Sequence, residues 1–268
     1  MSDPVPEDVA RALAATASRR GSFGTPLYFL SETRSTNDVA AALAERGAPQ
    51  GAAVLASSQT AGRGRFGRNW FSPPGAGLYV SLVCRDEVAA PFVTLAGAVA
   101  VADGIRAAAG LPVHIKWPND IVVQGDRPQA RRKLAGILAE ATSTADGLQY
   151  VILGFGINLR PAAYPPELSD RATSIEVELG RPADGAAVLA ETLAVFAARF
   201  AELERGESAA VLARWRELAP SSRGAPVEWD TPAGPVNGVS AGIDAHGALL
   251  VRVSDRVERI ISGELRWK

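Results

Sequence analysis

The sequence predicts an α+β protein with a mixed sheet and helices, followed by a small β appendage. Three observations carry that expectation. From Leu27 to Ala219, short β-type runs alternate with stretches of helical period. Near Pro220-Ser221-Ser222 the pattern changes, and beyond Pro226 only short strands and turns remain. The 268 residues, 47% apolar and 21% charged, suffice for one large domain and a small one. The expected division is an N-terminal extension over 1–24, a main domain over 25–220 and the β appendage over 221–268.

In chain order, a short amphipathic helix is expected over 8–17 and a strand over 27–30. Ser35-Thr36-Asn37-Asp38 has the form of a capping box, with the Ser35 hydroxyl suited to cap free N–H groups. Val39, Leu43 and small alanines then form a helical face, which Gly47 closes. Strands follow over 53–57 and 78–84. A helix over 91–109 has Leu95, Val99 and Ile105 on its apolar side and ends at Gly110. Further strands fall over 113–116, 121–123, 134–140 and 150–156, and helices over 184–204 and 208–219. The appendage holds strands over 227–230, 236–243, 248–253 and 257–261, with Ala245-His246-Gly247 as a hairpin turn. That meander fits a small barrel.

Composition excludes several function classes. One cysteine, Cys84, permits no disulfide framework and no Cys-based zinc site, and it reads as a small buried hydrophobe. His114 and His246 are too few and too distant for a histidine metal site. A net charge of −1 lacks the basic footprint of a nucleic-acid binder. The longest uncharged apolar stretch, 88–102, contains Pro91 and is too short to span a bilayer. The acidic N-terminus has no secretory-signal pattern, so a cytoplasmic soluble protein is expected, with no nucleic-acid or membrane partner. Lysine occurs at Lys116, Lys133 and Lys268 alone; the rest of the 28 basic residues are arginine.

Four segments carry chemistry. Gln59 to Trp70 interleaves Gly62, Gly64 and Gly67 with Arg63, Arg65 and Arg68. Glycines let a backbone approach a ligand closely, and guanidinium forks match phosphate and carboxylate, so this reads as a loop over an anion. A solvated surface loop fits the same residues. Gly62-x-Gly64-x-x-Gly67 also matches a dinucleotide fingerprint, but Phe71-Ser72-Pro73-Pro74-Gly75 forbids the helix that must follow. Lys116-Trp117-Pro118-Asn119-Asp120 ends a strand and offers an amide and a carboxylate; an Asx-capped turn is the plain alternative. Arg131-Arg132-Lys133 opens the apolar run Leu134 to Glu140, with Gly136 leaving room for close approach, or is a solvated basic run. Gly154 and Gly156 interrupt a strand, either for a ligand or for a bend.

Together with Ser35-Thr36-Asn37 these strings resemble bacterial biotin protein ligases. The matching segments are SETRSTND at 31–38, QTAGRGRFGRNWFSPPGAGLYVS at 59–81, KWPND at 116–120, KLAGILAE at 133–140 and GFGINL at 154–159. GIDAHGALLV at 242–251 and SGEL at 262–265 are similar to the family's C-terminal domain. The resemblance implies a catalytic domain like that of class II aminoacyl-tRNA synthetases and biotin ligases, with a small SH3-like barrel. It implies ATP-dependent activation of biotin as biotinyl-5′-AMP, with Mg²⁺ brought by ATP and held mainly by phosphates. Transfer to a lysine of the biotin carboxyl carrier protein of acetyl-CoA carboxylase or a similar carboxylase follows. Some members carry an N-terminal DNA-binding domain; about 25 residues precede the matching region here, so the monofunctional form is expected, as monomer or homodimer.

By the same resemblance Ser35, Thr36, Asn37, Gln59, Arg63, Gly64, Arg65, Lys133 and Gly136 line the biotin pocket. Arg63, Arg65, Arg68, Trp70, Asn119, Asp120, Lys133 and Asn158 contact ATP and the adenylate. Lys133, with Arg65 and Arg68, carries the catalysis, and Asp120 orients Lys133 or Mg²⁺. The loop over 63–68 is expected to order on ligand binding. The rival readings are a lipoate or octanoate ligase of related fold, a non-enzymatic biotin-binding regulator and, on the glycine fingerprint alone, a nicotinamide-dependent oxidoreductase.

Overall fold

The computed structural model describes residues 2–124, 131–162, 164–231, 234–263 and 265–267. Lys268 and Glu264 of the SGEL segment lie outside them. The first helices are α1 (Glu7–Ala15), with Glu7 and Asp8 in its first turn where the helix dipole favours anions, and α2 (Ala17–Arg20). Val9 and Leu13 are buried, and the Phe23 ring meets Phe196 and Phe200 edge-on at centroid distances of 4.9 and 5.1 Å. Asp3 forms a β-bridge with Phe29, and its carboxylate accepts from the Ser31 N–H and hydroxyl at 2.7 and 2.8 Å. The segment expected as an extension is thus part of the main core.

The main domain continues with β1 (Leu27–Leu30), α3 (Thr36–Glu45), β2 (Ala53–Ala56), β3 (Gly77–Cys84) and α4 (Val93–Ala109). Then come β4 (His114–Lys116), β5 (Asp120–Val123), β6 (Arg132–Thr144) and β7 (Gly147–Asn158). The seven strands make one mixed sheet in the order β1-β2-β3-β7-β6-β5-β4. Only the β1–β2 pair is parallel. The hairpin of β6 and β7 runs past the expected ends, because the ladder continues through polar residues from Thr142 to Leu148 where the apolar signal fades.

The helices α5 (Pro166–Ser169) and α6 (Ile175–Leu179) were not anticipated; each is little more than one turn, too short to show a period. The last helices are α7 (Gly185–Glu204), capped by Asp184 accepting from the Ala187 N–H at 3.0 Å, and α8 (Ser208–Leu218). The packing of α4, α7 and α8 covers one sheet face, where Gly97 of α4 lets Leu153 and Ile137 approach. Ala90–Ala109 is long and apolar enough to cross a membrane by length and composition, yet it is this buried core helix. Across the sheet, Ala40 and Ala44 of α3 pack on Val54, Val83, Tyr150 and Ile152. That helix covers only part of its face, and the uncovered part over β6 and β7 holds the site.

The appendage contains β8 (Arg223–Thr231), β9 (Gly234–Ile243), β10 (Leu249–Val253), β11 (Arg256–Ile260) and β12 (Leu265–Trp267). They form an antiparallel sheet in the order β11-β10-β9-β8-β12. The turn predicted at 245–247 is built on Asp244, whose carboxylate accepts from the N–H groups of His246 and Ala248 at 2.8 and 3.0 Å. Burial works against that charge, but Arg259 and the two N–H bonds hold the Asp244 carboxyl below its ordinary range. The turn docks on the main domain: Trp117 Nε1 donates to Gly247 O at 3.0 Å, and the Arg131 guanidinium lies 5.8 Å from the Trp267 ring.

Candidate active site

Side chains alternate along a strand, so Lys133 and Gly136, three apart, belong on opposite faces of a regular β6. The register resolves this. Ala135 pairs with Ile121 but Lys133 pairs with Val122, which leaves Leu134 as an extra residue in β6. This bulge re-aims Lys133 onto the face of Gly136. Its Cε and Nζ stand 3.2 and 3.3 Å from where a Gly136 Cβ would be. Lys133 Nζ meets Asp120 Oδ1 at 2.6 Å; Asp120 pairs with Gly136 across the ladder. The Lys133 backbone is clamped by Arg171 O at 2.6 Å and the Thr173 N–H at 2.9 Å.

The strand glycines serve this chain's own side chains. A Cβ on Gly156 would lie on the Trp70 indole, 2.5 Å from Cε2, and one on its partner Gly136 would be 3.0 Å from Trp70 Cζ3. Trp70 therefore lies over this glycine pair, with Lys133 Nζ 5.2 Å from its ring. Its Nε1 is buried with no hydrogen-bond partner among the described residues. One residue pair along, Gly154 makes room for the amide of Asn37.

Asn37 belongs to a polar cluster at the start of α3. The Ser35 hydroxyl makes no cap bond; the cap comes from Gln59, whose Oε1 accepts from the Thr36 N–H at 2.8 Å and its hydroxyl at 3.1 Å. The Gln59 amide donates to Ser72 Oγ at 2.9 Å. Ser81 Oγ lies 2.8 Å from Thr36 Oγ1 and 2.6 Å from Asn37 Oδ1. Ser35, Thr36, Asn37, Ser72 and Ser81 are all buried. Sequence reasoning passed over Ser72, Ser81 and Glu140. A lone serine inside the apolar run of β3 was the one available signal for Ser81.

The arginine loop has internal order. The Gly64 N–H donates to Arg68 O at 2.7 Å, and the Trp70 N–H donates to Gly62 O at 2.8 Å. Arg65 to Gly67 form one 3₁₀ turn, so no helix follows the glycines. Phe66 takes φ of 57° at the tip, with its ring exposed and the Arg65 guanidinium 4.8 Å from its centre. Arg65 Nη1 also reaches Asn119 Oδ1 at 3.3 Å. Burial pushes the Arg65 pKa down, and the charge of Asp120 works in the opposite sense. Arg63 turns away from the glycine pair to Asp38 at 2.5 Å and Glu140 at 2.8 Å. Arg34, Arg65 and Arg68 line a cavity of about 590 Å³ together with this pair.

Asn119 and Asn158 sit at the margins with their amides engaged. Asn119 Nδ2 donates to Ile137 O at 2.6 Å and Asn158 Nδ2 to Thr173 O at 2.9 Å. The predicted residues therefore converge on one open sheet face. An uncharged polar pocket lies at the start of α3, a lysine–carboxylate pair on β5 and β6, and a cationic loop above. Such an arrangement can bind a neutral polar ring and neutralise anions beside it. Among the described residues no cluster of three His, Cys, Asp or Glu could hold a metal ion.

Residues 29–158 match the biotin/lipoate A/B protein ligase family, and 224–265 match the biotin protein ligase C-terminal domain. The bifunctional ligase/repressor BirA of Bacillus subtilis is 36% identical over 247 residues, covering 90% of this chain and 74% of that protein. The biotin–[acetyl-CoA-carboxylase] ligase of Paracoccus denitrificans is 36% identical over 231 residues, 83% of this chain and 92% of the relative. Among solved structures, the Aquifex aeolicus biotin protein ligase in complex with biotin and ATP superposes with a TM-score of 0.77 at 27% identity, over 90% of this chain and 99% of that one.

Proposed function

This chain belongs to the biotin protein ligase family, and from that premise we propose that it joins biotin to a carrier-protein lysine through biotinyl-5′-AMP. The observation that carries the mechanism is the bulge-aimed Lys133, held by Asp120 beside the glycine pair. In the first step the biotin carboxylate attacks the α-phosphorus of ATP and pyrophosphate leaves. Both reacting groups are anionic, and a fixed cation between them stabilises the charge that develops. A compact ammonium can meet one oxygen of each, and Asp120 presets its position.

Thr36, Asn37 and Gln59, with Ser35 behind them, supply neutral hydrogen-bonding groups suited to the ureido ring of biotin. Gly64 lets it lie close to the loop backbone, whereas the space over Gly136 is taken by Trp70 and Lys133. Arg65 and Arg68 supply guanidinium groups toward phosphate, and Trp70 offers a face for adenine, with Asn119 and Asn158 bordering the nucleotide. Mg²⁺ fits this donor set only through phosphate and water, because Asp120 is already engaged by Lys133. In the second step an acceptor lysine amine attacks the mixed anhydride and AMP leaves. The acceptor is the biotin carboxyl carrier domain of acetyl-CoA carboxylase or a similar carboxylase.

The test is ATP–pyrophosphate exchange with biotin and, separately, with lipoate, followed by transfer of labelled biotin to a carrier domain. Exchange and transfer with biotin are expected. Exchange with lipoate in preference to biotin would refute the assignment.

A further inference from the structure

Glu140 stands on the same face of β6 as Gly136 and holds two elements at once. Its Oε2 accepts from Asn37 Nδ2 at 2.5 Å and from Arg63 Nη2 at 2.8 Å. The other arm of Arg63 reaches Asp38 at 2.5 Å, on the first turn of α3. Asn37 Oδ1 in turn accepts from the buried Ser81 hydroxyl at 2.6 Å. Rotating the Asn37 amide would set its oxygen against the Glu140 carboxylate, so this carboxylate fixes which way the amide points. The same oxygen anchors the second residue of the glycine loop. Asp38 and Glu140 also place two negative charges beside a site suited to anions, and Arg63 pairs with both and offsets one of those charges.

We propose that Glu140 is a positioning residue: with Asp38 it latches the 62–70 loop shut through Arg63 and fixes the Asn37 amide facing the pocket. The latch rests on geometry alone; its effect on biotin rests on the proposed function. Arg63, Asp38 and Glu140 are 41%, 50% and 41% exposed, so each pair is weak and screened by salt. A loop that must open for substrates needs a closure of that strength.

Trypsin reads the latch directly, because Arg63, Arg65 and Arg68 are cleavage sites within the loop. In the full ligand-free chain, the Asp38→Asn/Glu140→Gln variant is expected to be cut in the loop on the order of ten-fold faster. Raising NaCl to about 1 M, where screening reaches contact distance, is expected to speed loop cleavage of the wild type and not of the double variant. A merely structural role would raise cleavage elsewhere and lower the melting temperature, without that difference in salt response. The Asp38→Asn variant alone keeps the Asn37 contact and is expected to give a smaller acceleration. In exchange assays Glu140→Gln is expected to raise KM for biotin more than it lowers kcat, with Glu140→Asp recovering part of the loss. Equal loop cleavage in wild type and double variant, or an equal salt response, would overturn the latch. Cleavage is read without substrates, so it decides the latch independently of the ligase activity, whose own failure would show as no biotin-dependent exchange in the wild type.

Discussion

Gly154→Ala is the most economical probe of how the sheet sets the pocket. Gly154 lies on β7 opposite Ser81 of β3. An added Cβ would fall on Asn37 Oδ1, with Cγ at 3.0 Å and Nδ2 at 3.1 Å. Carbon atoms rest at about 3.5 Å or more, so Cγ must retreat by about 0.5 Å and the nearer oxygen by more. The amide cannot rotate away, because Ser81 holds one end at 2.6 Å and Glu140 the other at 2.5 Å. Displacement drives both bonds toward or past the useful range. Overpacking of this kind costs about 1–3 kcal/mol, and weakening the two bonds adds about 1–2 kcal/mol. A total of roughly 2–5 kcal/mol is a large part of the roughly 5–15 kcal/mol by which domains are stable.

Urea denaturation would show that loss as a lower midpoint at unchanged slope. Exchange kinetics would show a raised KM for biotin, since a misplacement of about 1 Å at a binding group can cost on the order of 10²-fold. The clash involves one side chain, so Asn37→Ala should relieve it. The double variant is expected to be more stable than the sum of the two single losses predicts, by about 1 kcal/mol or more. Wild-type stability and KM in Gly154→Ala, or strictly additive losses in the double variant, would refute the packing described at Gly154.

Three further predictions follow from neighbouring residues. Gly156→Ala meets the Trp70 indole instead, and a loop side chain can swing, so stability is expected to change by about 1 kcal/mol or less while KM for ATP rises; unchanged KM would count against Trp70 as the adenine platform. Lys133→Arg keeps the charge but is expected to lower the exchange rate at least about ten-fold, the effect of misplacing one preorganised stabiliser; full activity would remove the case for an ammonium. Burial, with the charges of Arg106 and Arg131, depresses the pKa of His114 in the fold below its ordinary value of 6.5. The unfolded chain therefore takes up this proton first, and the His114 contribution is fully favourable above pH 6.5 and declines as pH falls below it. His114→Gln is expected to flatten the stability loss between about pH 7 and 5, and parallel profiles for variant and wild type would refute this.

Much of the fold was legible because its signals are local. The run Leu27 to Leu30, the helix closed by Gly110 and the turn at His246 each stand where their residues predict. The refusal of a helix after Gly67 was legible too, since Pro73-Pro74 cannot continue one. What stayed hidden depends on contacts distant in sequence. Phe23 joins the core only because Phe196 and Phe200 stand opposite it. Ser35 has the right chemistry for a cap, yet Gln59, 23 residues beyond Thr36, supplies it. Gly154 and Gly156 read as room for a ligand or as a bend, and what occupies the space over them, Asn37 and Trp70, comes from separate segments.

The lysine distribution gains meaning from the same reasoning. In a chain that otherwise uses arginine, composition singles out Lys133 without placing it, and strand period places it on the wrong face. The bulge at Leu134 turns it into the site, where its Cε and Nζ are crowded against Gly136, Asp120 Oδ1 lies 2.6 Å away and the Trp70 ring centre 5.2 Å away. A guanidinium is broader than an ammonium and spreads its donors over a plane. At this position it would have to displace the indole or leave Asp120. Lys116 pairs with Asp120 through the strand ladder. The need for an ammonium thus comes from the space left between β5, β6 and the indole, and a residue count alone would have assigned it equally to both positions.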